Sequence, residues 1–252
     1  MILYFSATGN GKYISEQIAE KTNETCMSIV DCIREDKYVF SDETILGIVV
    51  PTYFWRLPRI VAEYLDKLRT ENCGYTFFLA SYGTTTGKAG SMAKDIMACH
   101  GQKFDAYYSV IMPDTWTPVF DLTDKNRVDK WLSDGKNQLE LVIDNIMSKR
   151  KGDFIDRKLP KWVATIPAAY MYVTERKTKN LSVNKDACIG CGVCAKKCPV
   201  GAIQMEDRCP VWKVEECEMC LGCLHRCPKF AISYGNGKTN RHGQYKNPYT
   251  RI

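Results

Sequence analysis

Short apolar runs alternate with amphipathic stretches over residues 1 to about 150, the pattern left by βαβ units that build a parallel sheet. The apolar runs predict strands at Ile2–Phe5, Cys26–Val30, Ile45–Val50, Tyr75–Ala80 and Ala106–Ile111. Helical periodicity lies between them. It runs over Lys12–Lys21 with Ile14 and Ile18 on one face, over Pro58–Leu68 behind an opening proline, and over Gly90–His100. A last helix is predicted at Lys125–Met147, where Trp131, Leu139, Val142 and Ile146 recur at helical spacing. Five strands with interleaved helices predict a doubly wound α/β domain, a parallel five-stranded sheet with helices on both faces.

From Ser148 to Asn184 the periodicity fails and Lys and Arg accumulate, which predicts a connecting segment with one short helix near Lys161–Val173. Beyond it lies an internal repeat. Cys188, Cys191, Cys194, Cys198, Pro199, Ala202 and Ile203 recur 29 positions later as Cys217, Cys220, Cys223, Cys227, Pro228, Ala231 and Ile232. Seven identities at one offset imply two copies of one small unit. The expected division is an α/β domain at 1–150, a basic connecting segment at 151–180, a cysteine-rich domain at 181–235 and a basic tail at 236–252.

Nine of the 13 cysteines fall between Cys188 and Cys227. No apolar stretch approaches the roughly 18 residues of a membrane span, and Met1–Phe5 is too short an apolar run for a signal peptide. The expected location is the cytoplasm, where thiols stay reduced and clustered cysteines mean metal or redox chemistry. The net charge of +6 is uneven: −5 over residues 1–148, +6 over 149–186, +1 over 187–234 and +4 over 235–252. Basic stretches can bind nucleic acid, but neither of these interleaves aromatic residues with its Lys and Arg. They are expected as a solvated linker and a loose terminus, with no nucleic-acid or membrane partner.

The run Cys188-Ile-Gly-Cys191-Gly-Val-Cys194 can wind round one iron–sulfur cube, three thiolates reaching three irons while Gly190 and Gly192 let the backbone approach. The fourth cysteine of such a run, followed by proline, ligates the other cluster in two-cluster ferredoxins. Cys188, Cys191, Cys194 and Cys227 are therefore assigned to one [4Fe-4S] cluster, and Cys217, Cys220, Cys223 and Cys198 to a second. Two zinc sites would use the same eight cysteines, but zinc sites pair one CxxC with a distant CxxC. Lys196, Lys197, Arg226 and Lys229 stand beside the ligands, as charges that tune a cluster or as solvated surface residues. Cys209 lacks CxxC partners and is read as non-ligating. Cys26, Cys32, Cys73 and Cys99 are read as small buried hydrophobes.

The first predicted strand runs into Ser6-Ala7-Thr8-Gly9-Asn10-Gly11 and then a helix, offering hydroxyls and free backbone N–H groups to an anion. The Walker pattern fails at Ser6 and Tyr13, and the dinucleotide fingerprint fails at Ile14. The loop resembles the flavodoxin phosphate loop, (S/T)xTGN(S/T), with Gly11 in place of the last hydroxyl residue. Flavin sites in this topology lie at the carboxyl ends of the strands. Pro51-Thr52-Tyr53-Phe54-Trp55 and Ser81-Tyr82-Gly83-Thr84 follow the third and fourth strands there, with aromatic faces and backbone groups suited to a flavin.

PTYFWRLPRIV from Pro51, MPDTW from Met112, PVW from Pro210 and AISYG from Ala231 together resemble one family. It comprises fused flavodoxin and two-cluster ferredoxin proteins of anaerobic bacteria and archaea, the EFR-family ferredoxins. The resemblance implies a flavodoxin-like domain followed by a small α+β bacterial two-cluster ferredoxin domain. It also implies FMN, carried by Ser6, Thr8, Gly9, Asn10, Gly11, Thr52, Tyr53, Trp55, Ser81, Tyr82 and Gly83.

A flavin exchanges electrons in pairs or singly and a cluster handles one at a time, so the expected function is a relay between FMN, two clusters and an external partner. The partner is expected to be a soluble redox protein or a small-molecule donor or acceptor. The alternatives are an iron–sulfur carrier whose flavodoxin-like half binds no flavin, and a zinc module that binds nucleic acid. No hydrolytic or nucleophilic constellation is present, and no catalytic acid or base is assigned. His225, inside a cysteine run, is expected to be solvent-exposed.

Overall fold

The computed structural model describes residues 1–158, 169–235 and 238–252. Strands β1 (Ile2–Tyr4), β2 (Cys26–Ser28), β4 (Leu46–Pro51), β6 (Thr76–Tyr82), β7 (Ala106–Ile111) and a two-residue β8 (Gly152–Asp153) form one sheet. Their order is β2-β1-β4-β6-β7-β8, and every pairing is parallel. The five expected strands are thus extended by a sixth, short one. A parallel ribbon of β3 (Val39–Ser41) and β5 (Arg69–Glu71) stands apart from this sheet. The strand order reverses at β1, so a crevice opens beyond the carboxyl ends of β1 and β4.

Successive residues of a strand face opposite sides of the sheet, and each side buries its own set. Helices α1 (Asn10–Thr22) and α5 (Lys125–Met147) cover Ile2, Val49, Phe77, Leu79 and Tyr108 on one side. Helices α2 (Ile29–Arg34), α3 (Arg59–Lys67) and α4 (Ala89–Cys99) cover Leu3, Phe5, Ile48, Val50 and Phe78 on the other. The result is a doubly wound α/β domain of three layers.

Local chemistry explains where sequence and structure part. The second strand was expected to reach Val30, but it stops at Ser28, whose Oγ accepts the N–H of Val30 at 3.2 Å and starts α2. Helix α5 has the expected bounds, opened by Asp124, whose Oδ1 accepts the N–H of Arg127 at 3.1 Å. Its buried face holds Leu132 instead of Trp131, which is half-buried beside Phe120. The short helix expected near Lys161–Val173 falls largely outside the described residues; residues 169–175 are helical and form α6.

The cysteine-rich part comprises β9 (Leu181–Val183), α7 (Val193–Lys196), β10 (Ile203–Glu206), β11 (Cys209–Trp212), α8 (Gly222–Arg226) and β12 (Ile232–Tyr234). Strands β9 and β12 pair antiparallel, as do β10 and β11. Leu181, Met219, Leu221, Leu224, Ile232 and Tyr234 form its core, against which Phe54 and Trp116 of the α/β domain pack. This is the small α+β ferredoxin-type unit that the family resemblance implies.

The basic tail is not the loose terminus expected from its charge. Leu122 donates its N–H to the carbonyl of His242 at 2.8 Å, and Asn247 donates to the carbonyl of Thr8 at 2.8 Å. Tyr245 and Asn247 are buried. Counting Lys and Arg conceals a tail whose uncharged polar and aromatic groups find partners on the α/β domain. No helix among the described residues is long and apolar enough to cross a membrane.

Candidate functional site

Two cavities in the cysteine-rich part sort the eight expected thiols into two sets. Cys188, Cys191, Cys194 and Cys227 line one, and Cys198, Cys217, Cys220 and Cys223 line the other. In each, the fourth thiol comes from the opposite run. The repeat persists in the hydrogen bonds, since the N–H of Ala202 points at Cys198 Sγ and that of Ala231 at Cys227 Sγ, both at 3.3 Å. All 13 cysteines are free of disulfides.

A lone zinc ion needs its sulfurs about 2.3 Å from one point. Among the described residues no three His, Cys, Asp or Glu side chains converge so as to hold a single metal ion. Four thiols set around a cavity instead suit a group with several metal atoms at its corners. Burial pushes the Cys217 thiol up to about 11 and the Cys220 thiol up to about 12. Iron binding at these sulfurs would have to displace their protons.

The two runs share one backbone shape but differ in residues. Gly190 and Gly192 of the first run have φ of +69° and +71°, and their counterparts Met219 and Leu221 have +49° and +51°. A left-handed conformation costs a non-glycine residue roughly 1–2 kcal/mol. Both side chains are buried, at 3 % exposure each, and both line a larger cavity between the two domains.

That cavity measures about 300 Å³ and sits at the carboxyl ends of β1, β4, β6 and β7. Ser6, Thr8, Asn10, Gly11, Thr52, Tyr53, Trp55, Ser81, Tyr82 and Gly83 line it, which is every residue expected at a flavin except Gly9. Gly9 turns the chain into α1 at φ +101°, with the tail residues Asn247, Thr250 and Ile252 against its Cα. Residues not foreseen also line the cavity: Asp114 and Trp116 from the loop after β7, Met171 from α6, and Met219, Cys220 and Leu221. The MPDTW motif pointed to the first two, although neither was given a role. Sequence separation hid the others.

The lining fits an FMN. No side chain caps the N-terminus of α1, which leaves its first N–H groups directed at the loop. Among the described residues, the buried Thr52 Oγ1 has no hydrogen-bond partner. Gly11, the departure from the phosphate-loop pattern, has a steric cause: a Cβ there would stand 2.7 Å from the carbonyl oxygen of Phe5. Between Tyr53 and Arg56 the chain makes a tight turn closed by two backbone hydrogen bonds of 2.9 Å. Phe54 and Trp55 at its centre have φ of +47° and +62°, conformations usually left to Gly or Asn. Strain of this kind persists where the surroundings impose it, and it gathers at binding sites. Phe54, in an edge contact with Trp116 at 4.9 Å, faces the ferredoxin-type core and not open solvent.

Several polar side chains tie the domains together. The His225 ring is fully buried, contrary to the exposure expected of it. Its Nδ1 accepts the N–H of Tyr245 at 3.2 Å, so Nε2 carries the proton and donates to the carbonyl of Thr115 at 2.9 Å. Burial lowers its pKa to about 4, with Arg226 acting in the same direction. Arg226 donates to the carbonyls of Lys197 at 3.3 Å and Ser6 at 3.4 Å, whereas Lys196, Lys197 and Lys229 are exposed. Of the cysteines expected in the core only Cys32 is buried; Cys26 and Cys73 are half-buried and Cys99 is exposed. Cys209 lies beside Cys188, outside the two thiol sets.

Comparison with known proteins agrees with both halves. Residues 1–140 match a family described as a flavodoxin domain, and residues 181–204 match a 4Fe-4S binding domain. An uncharacterized ferredoxin of Methanocaldococcus jannaschii is 44 % identical over 59 residues, which are 22 % of this chain and 32 % of that protein. One component of an ion-translocating oxidoreductase complex of Methanosarcina acetivorans is 42 % identical over 45 residues, 18 % of this chain and 17 % of that component. The chain thus spans a third or less of these relatives' lengths. Among solved structures, rubredoxin oxygen:oxidoreductase of Desulfovibrio gigas is similar at 16 % identity over 59 % of this chain and 36 % of its own, with a TM-score of 0.38. The Trp repressor binding protein of Bacillus subtilis is similar at 14 % identity over 60 % of this chain and all of its own, with a TM-score of 0.36.

Proposed function

The chain belongs to the flavodoxin-domain family and carries a 4Fe-4S binding domain, and on that premise we propose that it serves electron transfer, relaying electrons between a bound FMN, two [4Fe-4S] clusters and an external redox partner. One observation carries this reading. Cys220 belongs to a set of four cluster thiols and also lines the cavity of the phosphate loop. The two cofactor sites therefore share a wall. When bound, FMN would supply exchange of electrons in pairs or singly, and each cluster exchange of one.

The chain's own residues divide the remaining work. Ser6, Thr8 and the N-terminus of α1 would hold the phosphate, while Tyr53, Trp55 and Tyr82 would shield the ring from water. Cys198, Cys217, Cys220 and Cys223 would hold the cluster nearer the flavin, and Cys188, Cys191, Cys194 and Cys227 the farther one. Cys191 and Ile189 are exposed at the farther site. Lys229 lines that site, Arg208 packs on Gly190, and Lys185 lies within electrostatic reach of Cys209 beside Cys188. Asp207 stands there too, so the rim presents mixed charge to an external one-electron carrier protein.

The test is anaerobic purification with FMN, iron and sulfide counted per chain, followed by photoreduction of the flavin. One FMN, about eight irons and the appearance of reduced-cluster electron paramagnetic resonance signals are expected. Clusters that stay oxidised beside a reduced flavin would refute the relay. A flavin-free iron–sulfur carrier is the second reading, favoured by one contact: the Asn10 amide is already engaged by Tyr245, Asn247 and the carbonyl of Pro113. Absence of flavin on denaturation would select it.

A further inference from the structure

Asp114 stands at the carboxyl end of β7, and among the described residues that line the interdomain cavity it is the one acidic or basic side chain. Its Oδ1 accepts the N–H of Trp116 at 3.1 Å. The rest of the carboxyl group lies against Gly83, where a Cβ would stand 2.4 Å from Oδ2. Any side chain at position 83 would displace it. The titratable side chains that other elements bring to the cavity are Tyr53 after β4, Tyr82 at the end of β6 and the cluster thiol of Cys220. Burial raises both phenols above their ordinary range and keeps them neutral. It also pushes the Asp114 carboxyl up to about 6, against the Trp116 N–H, which draws it down.

A carboxylate in such a cavity, with no counter-charge among the described lining residues, gains proton affinity as soon as further negative charge arrives. We propose that Asp114 is the proton store of this cavity, its carboxylate taking one proton from water when a bound flavin is reduced. The inference rests on the FMN reading above. The electrons come from the external donor and the proton from solvent; the carboxylate becomes a carboxylic acid, and no other bond at Asp114 forms or breaks. Reoxidation returns the proton. The coupling is reciprocal, so an ionised Asp114 holds the flavin at a lower potential and a neutral one lets it rise.

Wild type and Asp114→Asn, each first assayed for one FMN per chain, are photoreduced in weak buffer with a pH indicator, and their flavin potentials are measured against pH. Asn keeps an acceptor for the Trp116 N–H, so a purely structural role predicts no difference. Above pH 6 the wild type should take up one proton more per flavin than the variant, and its potential should fall more steeply with pH. Equal uptake and parallel slopes overturn the proposal. If the variant does not fold, the wild-type profile decides alone, since a slope with no additional proton above pH 6 overturns it. Wild type that purifies without FMN sinks the flavin reading as well, a result distinct from flavin-loaded protein with equal uptake.

Discussion

Glu218, in the second cysteine run, accepts the backbone N–H of Arg59 at 3.0 Å and caps a helix of the other domain. Its second carboxylate oxygen accepts the N–H of Ile60 at 3.1 Å. Helix α3 begins behind Pro58, which offers no capping side chain, so a carboxylate 159 residues away takes that place. Burial raises the Glu218 carboxyl, while Arg176 and the two N–H groups draw it back down. Its counterpart in the first run is Ile189, 48 % exposed. The two runs therefore diverge at the positions where the second meets the α/β domain.

Replacing Glu218 by Ala should cost about 1–2 kcal/mol, the range for losing a helix cap reinforced by charge. The measurement is the denaturation midpoint of the holoprotein together with protease sensitivity of α3. An unchanged midpoint would mean that water replaces the carboxylate without loss.

The crossing of ligands gives a sharper expectation. Cys198→Ala should remove a ligand from the cluster nearer the flavin although the residue belongs to the first run, and Cys227→Ala should do the reverse. Iron and sulfide analysis should show one intact and one incomplete cluster in each variant. Photoreduced flavin should still reduce a complete cluster in Cys227→Ala and lose its first acceptor in Cys198→Ala. If each substitution damages the cluster of its own run instead, the pairing is wrong.

Much of this was legible in the sequence because the signals were local. Strand and helix periods marked the sheet, and the offset of 29 residues marked both cysteine runs. One short motif marked the loop at 6–11 whose residues, Gly9 apart, line the interdomain cavity. What escaped was the interface, since nothing near Glu218, His225 or Tyr245 in sequence names Arg59, Thr115 or Asn10 as a partner. One clue was present: Met219 and Leu221 stand where the first run has glycine. A repeat that gives up glycine at left-handed positions has gained something in return, here the apolar wall of a cavity.

Leu221→Gly tests that exchange. Glycine relieves roughly 1 kcal/mol of backbone strain, whereas deleting a buried leucine side chain costs about 2–5 kcal/mol. Net destabilisation of roughly 1–4 kcal/mol is expected. The reverse change, Gly192→Leu, meets no atom within 4 Å of a new Cβ. It should cost only the strain, about 1–2 kcal/mol. No loss, or a gain, from Leu221→Gly, read as the denaturation midpoint, would show that the wall contributes no packing of its own.

The tail should govern flavin retention. Tyr245 donates its hydroxyl to Asn10 Oδ1 at 2.8 Å, Asn247 donates its side-chain amide to the same oxygen at 3.1 Å, and the Asn247 N–H reaches the carbonyl of Thr8. Lys12 donates to the carbonyl of Arg251 at 2.7 Å, which fixes the tail to the first turn of α1. These contacts hold the loop through Asn10 and Thr8, both of which line the cavity. Each hydrogen bond contributes about 1 kcal/mol net, close to a fivefold change in an equilibrium constant. Tyr245→Phe should therefore weaken FMN binding roughly fivefold, and deletion of residues 244–252 roughly a hundredfold, by loss of the three bonds to Asn10 and Thr8. Flavin fluorescence titration of the apoflavin protein measures both, with iron content as the control for an intact cluster domain. Unaltered FMN affinity in the truncated chain would leave the tail as a clasp between domains with no hold on the loop.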